Sequence, residues 1–127
     1  MRKNLLSCVV DIVKKNFIYK LMPTIKSTDE SFKELVKNEK KLVLTKFTAD
    51  WCSPCKAINP ILEEISEEMA SEIVIANHDI DSNPNVATEH AIRSIPTMFL
   101  WKNGKHVDTL VGGTSKSNIV SFIKKHL

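Results

Sequence analysis

Residues 42–56 read LVLTKFTADWCSPCK, and this stretch decides the fold. Its first seven residues, Leu42 to Thr48, are mostly apolar and β-branched, which is typical of a buried central strand. Cys52 and Cys55 follow, and an apolar stripe at helical spacing begins just beyond them. The stretch therefore predicts a strand that turns into a helix, with a Cys-x-x-Cys pair at the start of the helix.

Strand and helix signals alternate along the rest of the chain. Further strands are predicted over residues 21–26, 73–76, 97–101 and 106–111, and helices are predicted to begin near the capping-box spacing of Ser27 and Glu30, at the cysteine pair, at Asn83-Pro84 and after Thr114. Pro60 should kink the second helix, and the Asn103-Gly104 turn should make the last two strands antiparallel. This order predicts an α/β fold whose mixed central sheet of about five strands is flanked by about four helices.

The cysteine pair points to redox chemistry. At the start of a helix, unpaired backbone N–H groups and the helix dipole favour a thiolate, so Cys52 is the expected nucleophile. Cys55 lies one helical turn further on, close enough to close a ring and displace the product. Cysteines three apart are also zinc ligands, but a closed zinc site needs about four ligands. The chain offers only Cys8 and four scattered histidines, which we expect at the surface or in loops, so we predict no metal site.

The first 20 residues differ in charge from the rest. They carry five basic residues and one acidic residue, whereas residues 21–127 carry 13 basic and 14 acidic residues. We therefore divide the chain into a basic N-terminal extension, residues 1–20, and a domain, residues 21–127. The extension is expected to be an organellar transit segment or an extra helix, and Cys8 within it an incidental thiol. No apolar run is long enough for a transmembrane helix, and no basic stripe suggests nucleic-acid binding.

These features together resemble the thioredoxin family. The segment from Ala49 to Lys56 is similar to the family's active-site segment, and Pro60 to the proline that kinks its active-site helix. Further matches in the same order and spacing are Asp79-Ile80-Asp81, Asn83-Pro84, Arg93-Ser94-Ile95-Pro96-Thr97, Asn103-Gly104 and Val111-Gly112-Gly113. The likeness covers about residues 21–127 and implies a thioredoxin fold.

The resemblance also implies a substrate-binding surface. Pro96 would follow a cis peptide bond and end its loop against the cysteine pair, and the backbone of Ile95 would pair with an extended substrate segment. The mostly flat, apolar collar around Cys52 would consist of Trp51, Ser53, Pro54, Ser94, Ile95 and Gly112. By residue type alone, Trp51 and Ile95 would instead be core residues.

Three differences from the family pattern stand out. Ser53-Pro54 replaces the usual Gly-Pro between the cysteines, and keeping the proline without a histidine favours the reducing end of a range from about −270 to −120 mV. Lys46 stands where the family buries an aspartate under the second cysteine, and Asn77 where a lysine accompanies it. Lys46 either exchanges a proton with Cys55 or stabilises its thiolate, or it snorkels to solvent without a catalytic role. Thr48 replaces a larger residue, often tryptophan, and its small side chain should loosen the packing beside Cys55.

The predicted function is reduction of protein disulfides through a Cys52/Cys55 dithiol–disulfide cycle. The alternatives are a disulfide oxidant or isomerase, and a non-catalytic binding subunit with the same fold. The resemblance implies no cofactor beyond the redox-active disulfide, a thioredoxin reductase as electron donor, and disulfide-containing proteins as substrates. We expect a monomer that works in the cytoplasm or in a mitochondrion or another organelle.

Overall fold

A five-stranded mixed sheet forms the centre of the fold. The computed structural model describes residues 24–127. The strands are β1 (Thr24–Ser27), β2 (Leu42–Thr48), β3 (Ile73–Asp79), β4 (Thr97–Lys102) and β5 (Lys105–Val111). Their order across the sheet is β1-β3-β2-β4-β5. β1 and β2 run parallel to β3, whereas β4 pairs antiparallel with β2 and with β5. The predicted α/β fold with a mixed sheet and a final hairpin is confirmed.

Within residues 24–127, five helical segments accompany the sheet, where about four were expected. They are α1 (Phe32–Asn38), α2 (Ser53–Ala57), α3 (Asn59–Glu68), α4 (Pro84–Glu89) and α5 (Lys116–Lys124). The difference arises at Ile58, where α2 ends and α3 begins, with Pro60 in the first turn of α3. Proline lacks a backbone N–H and its ring clashes with the carbonyl four residues earlier, so the predicted kink is a full interruption.

Two apolar clusters lie on opposite faces of the sheet. The side chains of β2 alternate between them: Leu42 and Leu44 belong to the first cluster, and Val43 and Phe47 to the second. Residues of α3 and α5 complete the first cluster, and residues of α1 and α4 complete the second. Lys46 has the parity of Leu42 and Leu44, so it lies on the α3 face of the sheet.

The predicted capping box at Ser27 and Glu30 is wrong. Ser27 is the buried last residue of β1, and α1 begins after Ser31 without a side-chain cap. Asp29 instead caps α4, because its carboxylate accepts hydrogen bonds of 3.0 Å from the backbone N–H groups of Asn85 and Val86. A loop residue before one helix therefore anchors the start of another.

Two other cap predictions also change. Asn83 does precede α4, but its side-chain oxygen accepts a hydrogen bond of 3.1 Å from Asp29 N rather than one from its own helix. The residue that caps α5 is Ser115 rather than Thr114, and its hydroxyl accepts a hydrogen bond of 3.2 Å from Asn118 N. At α4, a contact from a neighbouring loop rather than local spacing decides which side chain caps the helix.

His78 is fully buried in β3, so its predicted place at the surface or in a loop is wrong. Its Nδ1 lies 2.8 Å from Ser27 Oγ, and its Nε2 lies 3.1 Å from the backbone oxygen of Asn83. The Asp29 carboxylate is 3.3 Å from the same Nε2. Both ring nitrogens therefore have polar partners, as a buried histidine requires. Through these contacts the ring connects β1 and β3 with the start of α4.

Candidate active site

The cysteine pair occupies the turn from β2 into α2. Cys52 N donates a hydrogen bond of 3.1 Å to Ala49 O, which closes the turn after the strand. Cys52 is the N-cap residue of α2, and its Sγ accepts a hydrogen bond of 3.2 Å from Cys55 N. A sulfur in this position receives one of the N–H groups that a helix leaves unpaired at its start.

Cys52 and Cys55 are joined by a disulfide bond, and their Cα atoms lie 5.3 Å apart. Both cysteines are largely buried, but Cys52 is 4% exposed whereas Cys55 is completely inaccessible. A reagent that approaches from solvent therefore meets Cys52 first. This arrangement can exchange two electrons with an external disulfide or dithiol.

The loop before β4 has the predicted cis peptide bond, between Ile95 and Pro96. Gly112 N donates a hydrogen bond of 2.7 Å to Pro96 O, which ties this loop to the end of β5. Gly112 has a φ of +91°, a backbone conformation that glycine adopts without strain. Two segments that the resemblance assigned to the substrate surface are thus joined directly.

The collar residues differ in solvent exposure. Trp51 is 69% exposed, so the core placement expected from its residue type is wrong. Its indole N–H donates a hydrogen bond of 2.8 Å to Asp81 Oδ2, which anchors the exposed ring to the turn after β3. Ser53, Pro54 and Ser94 are exposed. Ile95 is half-buried, because it packs partly against the second apolar cluster.

Lys46 is completely buried, so the interpretation that it snorkels to solvent is wrong. Its Nζ donates a hydrogen bond of 3.2 Å to the backbone oxygen of Cys55 and another to Asn59 Oδ1. Burial lowers the pKa of Lys46 from 10.5 to about 8, and the negative charge of Glu63 opposes part of this shift. An amine with this pKa exists in both protonation states near neutral pH.

A polar cavity of about 360 Å³ adjoins Lys46. It lies where the parallel strands β1, β2 and β3 end, and Lys46, Thr48, Asn59 and Asn77 are among its lining residues. Within residues 24–127, no group of three or more His, Cys, Asp or Glu side chains could hold a metal ion. Thr48, which stands where the family often has a larger residue, is one of the residues that line this cavity.

A comparison with protein-family models matches residues 23–125 to the thioredoxin model. The chain belongs to the thioredoxin family. Curated relatives include thioredoxins of Pyropia yezoensis and Rickettsia felis, each 43% identical over 100 residues. These matches cover 79% of this chain and 94% and 95% of the relatives. A thioredoxin of Acidithiobacillus ferridurans is 46% identical over 100 residues, 79% of this chain and 93% of the relative.

This thioredoxin-family chain is a thiol–disulfide oxidoreductase of the protein-disulfide reductase type. Its redox pair is bonded, and the named thioredoxins among its relatives favour reduction over the oxidant, isomerase and binding-subunit alternatives. Among residues 24–127, no helix is long and apolar enough to cross a membrane.

Sequence reasoning missed two residues of this thioredoxin site. Asn59 contacts Lys46, and Asp81 holds the Trp51 indole. The signal for Asn59 was present, since it lies four residues after Cys55 and is polar in an otherwise apolar region of the helix. Asp81 appeared only as part of a family motif, and its contact with Trp51 depends on how two loops meet.

Proposed function

We propose that Cys52 is the nucleophile and Cys55 the resolving cysteine of a protein-disulfide reductase. In the reduced protein, the Cys52 thiolate attacks a substrate disulfide, forms a mixed disulfide and releases one substrate thiolate. Cys55 then loses its proton and attacks Cys52 Sγ, which releases the second substrate thiolate and leaves the Cys52–Cys55 disulfide. Two electrons pass from the protein to the substrate. The greater exposure of Cys52 is the observation that supports this assignment.

We infer that the substrate binds along the surface between Trp51, the cysteine turn and the Pro96 loop. An extended substrate segment would form main-chain hydrogen bonds with Ile95 and contact the collar, which comprises Trp51, Ser53, Pro54, Ser94, Ile95 and Gly112. The exposed Trp51 ring, the exposed Pro54 and the link from Gly112 to Pro96 support this inference. The substrates are then proteins in which a disulfide lies in an accessible, extended segment.

We further propose that Lys46 accepts the Cys55 proton during the resolving step. The neutral amine of Lys46 would take this proton and become an ammonium group, and the Cys55 thiolate would attack Cys52. Support comes from the hydrogen bond between Lys46 Nζ and the Cys55 backbone oxygen and from the lowered pKa of Lys46. The amine takes the place of the aspartate that the family usually buries here.

Cys55→Ser is expected to trap substrates as mixed disulfides on Cys52, because no second thiol remains to release them. The trapped species should appear as higher-mass bands on non-reducing gels and disappear with dithiothreitol, and mass spectrometry would identify the linked proteins. The matched variant Cys52→Ser, which keeps only Cys55 of the redox pair, should trap far less because Cys55 is inaccessible. Equal trapping by the two variants would contradict the assigned roles, and greater trapping by Cys52→Ser would reverse them.

Lys46→Met is expected to change the pH dependence of the resolving step. The neutral amine becomes more abundant as pH rises through about 8, so the wild-type rate should rise over this range. Without the amine, the rate near pH 8 should fall by at least about tenfold, as is typical for loss of a general base. Stopped-flow measurement of mixed-disulfide decay gives the profile.

Lys56→Met controls for the loss of a positive charge beside the same cavity, because Lys56 is exposed and also lines it. It should retain the wild-type pH dependence of mixed-disulfide decay. Superimposable profiles for Lys46→Met and the wild type would rule out the proton role of Lys46.

We infer that the chain works as a monomer without a bound cofactor, and that a flavin-containing thioredoxin reductase fed by NADPH reduces its disulfide. Family membership supports this partner. We propose the cytoplasm or a mitochondrion or another organelle as its compartment, with residues 21–127 as the redox domain. The net charge of +4 in residues 1–20 supports an organellar transit function for the extension.

A further inference from the structure

Three polar side chains meet on the α3 face of the sheet, below the redox pair. Lys46 on β2 and Asn77 on β3 are register partners in adjacent parallel strands, so they are neighbours on the same face. Asn59 begins α3, and its Oδ1 accepts a hydrogen bond from Lys46 Nζ. All three residues line the cavity of about 360 Å³. The buried amine is therefore hydrogen-bonded to one neutral amide, Asn59, and shares its cavity with a second, Asn77.

The two protonation states of Lys46 need different numbers of acceptors. A neutral amine has two N–H donors and a lone pair, whereas an ammonium group has three donors and no acceptor. Cys55 O and Asn59 Oδ1 accept two hydrogen bonds from Nζ, which is the number that the neutral amine supplies. The lone pair is then free to take a proton, and the ammonium group that results needs one further acceptor.

Asn77 offers that acceptor. Its Nδ2 donates a hydrogen bond of 3.4 Å to Thr24 Oγ1, whereas its Oδ1 is buried and has no hydrogen-bond partner among residues 24–127. A buried amide oxygen without a donor is unfavourable, so this oxygen should accept a hydrogen bond from a nearby donor. Lys46 and Asn77 line the same cavity, so this oxygen lies on the side of the cavity that holds the amine.

We propose that Asn59 and Asn77 are positioning residues that hold Lys46 for proton exchange with Cys55. Asn59 Oδ1 holds the amine in both protonation states, and Asn77 Oδ1 receives the third N–H, directly or through water, once Lys46 carries the proton. This inference rests on the proposed role of Lys46 in the resolving step. It assigns two further residues to the reaction.

Uncharged hydrogen-bond acceptors allow Lys46 to gain and lose a proton near neutral pH, which a carboxylate would not. A carboxylate within hydrogen-bond distance would favour the ammonium form and keep Lys46 protonated at neutral pH. The charged groups around Lys46 are Glu63 on α3 and, lining the cavity, Lys26, Asp50, Lys56 and Asp79. The two groups that accept hydrogen bonds from Lys46 Nζ, Cys55 O and Asn59 Oδ1, are both uncharged. The amine can therefore release its proton again near neutral pH.

The direct test is an NMR titration of the Lys46 side chain, followed through its ¹³Cε shift in the reduced full-length protein. Asn59→Asp should raise the midpoint by about 1–3 pH units, because a carboxylate replaces the amide. Asn59→Ala and Asn77→Ala should each lower it, because the ammonium form loses an acceptor. Asn118→Asp adds the same charge at an exposed position on α5 and should leave the midpoint unchanged.

Mixed-disulfide decay provides the second readout. Asn59→Asp should slow this step at pH 7–8, since less Lys46 is neutral, while the attack of Cys52 on substrate keeps its wild-type rate. A Lys46 midpoint that is the same in Asn59→Asp, Asn59→Ala and the wild type would overturn the assignment of Asn59. An unchanged midpoint in Asn77→Ala would overturn that of Asn77, and this second variant keeps the test open if an Asn59 variant fails to fold.

The two proposals fail in different measurements. If Lys46→Met leaves the pH profile of mixed-disulfide decay unchanged, Lys46 does not accept the Cys55 proton. The proposed positioning role of Asn59 and Asn77 is then wrong as well. If Lys46→Met alters the profile but the asparagine variants leave the titration midpoint in place, only the positioning role fails.

Discussion

Replacing Cys52 with serine is expected to abolish the reduction of insulin disulfides. The serine hydroxyl is not ionised at neutral pH and cannot form a disulfide, so no mixed disulfide can form at this position. Cys55 cannot substitute for it, because that residue is completely inaccessible. The precipitation of insulin chains in the presence of dithiothreitol measures the reaction, and the rate should fall to that of dithiothreitol alone.

Cys8→Ser is the matched control, since it removes the third cysteine of the chain by the same substitution. Its rate of insulin reduction should equal that of the wild type. Catalysis by Cys52→Ser above the dithiothreitol background would contradict the assignment of the nucleophile. If Cys8→Ser lost insulin reduction to the same extent as Cys52→Ser, an essential thiol would lie in the N-terminal extension.

Lys46 should also make the stability of the fold depend on pH, by about 3 kcal/mol. Its pKa is about 8 in the folded protein and 10.5 as the ordinary value. Below pH 8 the amine is charged in both states, and burial of the charge opposes folding in full. Between pH 8 and 10.5 the unfolded chain binds more protons than the folded one, so stability rises with pH. A difference of about 2.5 pH units corresponds to about 3 kcal/mol.

Urea unfolding of the oxidised protein at pH values from 7 to 10.5 would measure this effect. The free energy of unfolding of the wild type, minus that of Lys46→Met, should rise by about 3 kcal/mol across this range. Subtracting the variant removes the contributions of other titrating groups. Lys56→Met again controls for the loss of one positive charge. A constant difference between the wild type and Lys46→Met would show that Lys46 titrates alike in the folded and unfolded states.

Two features set by local sequence were predicted correctly: the Cys-x-x-Cys pair at the turn from strand to helix, and the Asn103-Gly104 hairpin. At Pro60 the sequence predicted a kink, whereas the helix is interrupted. Runs of apolar and β-branched residues predicted the strands, and the order of strands and helices along the chain predicted a mixed sheet. The predicted β3 was nevertheless too short: it continues to Asp79, because Asn77 and His78 are paired with β1 and β2.

The features set by tertiary contacts were missed. Ser27 has the spacing of a helix cap, but it lies in β1, where it contacts His78. Lys46 belongs to a strand predicted to be buried, yet sequence alone left open whether its amine reaches solvent. Asn59 decides that question, because it accepts a hydrogen bond from the amine, and it lies on a helix thirteen residues away along the chain. The local sequence marks Asn59 as a polar residue in an apolar region, but its contact with Lys46 depends on how α3 packs on the sheet.

The strand order has a consequence for synthesis of the chain. The central strand β2 pairs with β3 and β4, both of which follow it in sequence, and the last helix, α5, supplies Ile119, Phe122 and Ile123 to the first apolar cluster. The core therefore cannot close until residues 119–123 have left the ribosome. Cys52 and Cys55 emerge well before that moment, so each newly made molecule passes through a stage in which both thiols are unprotected by the fold.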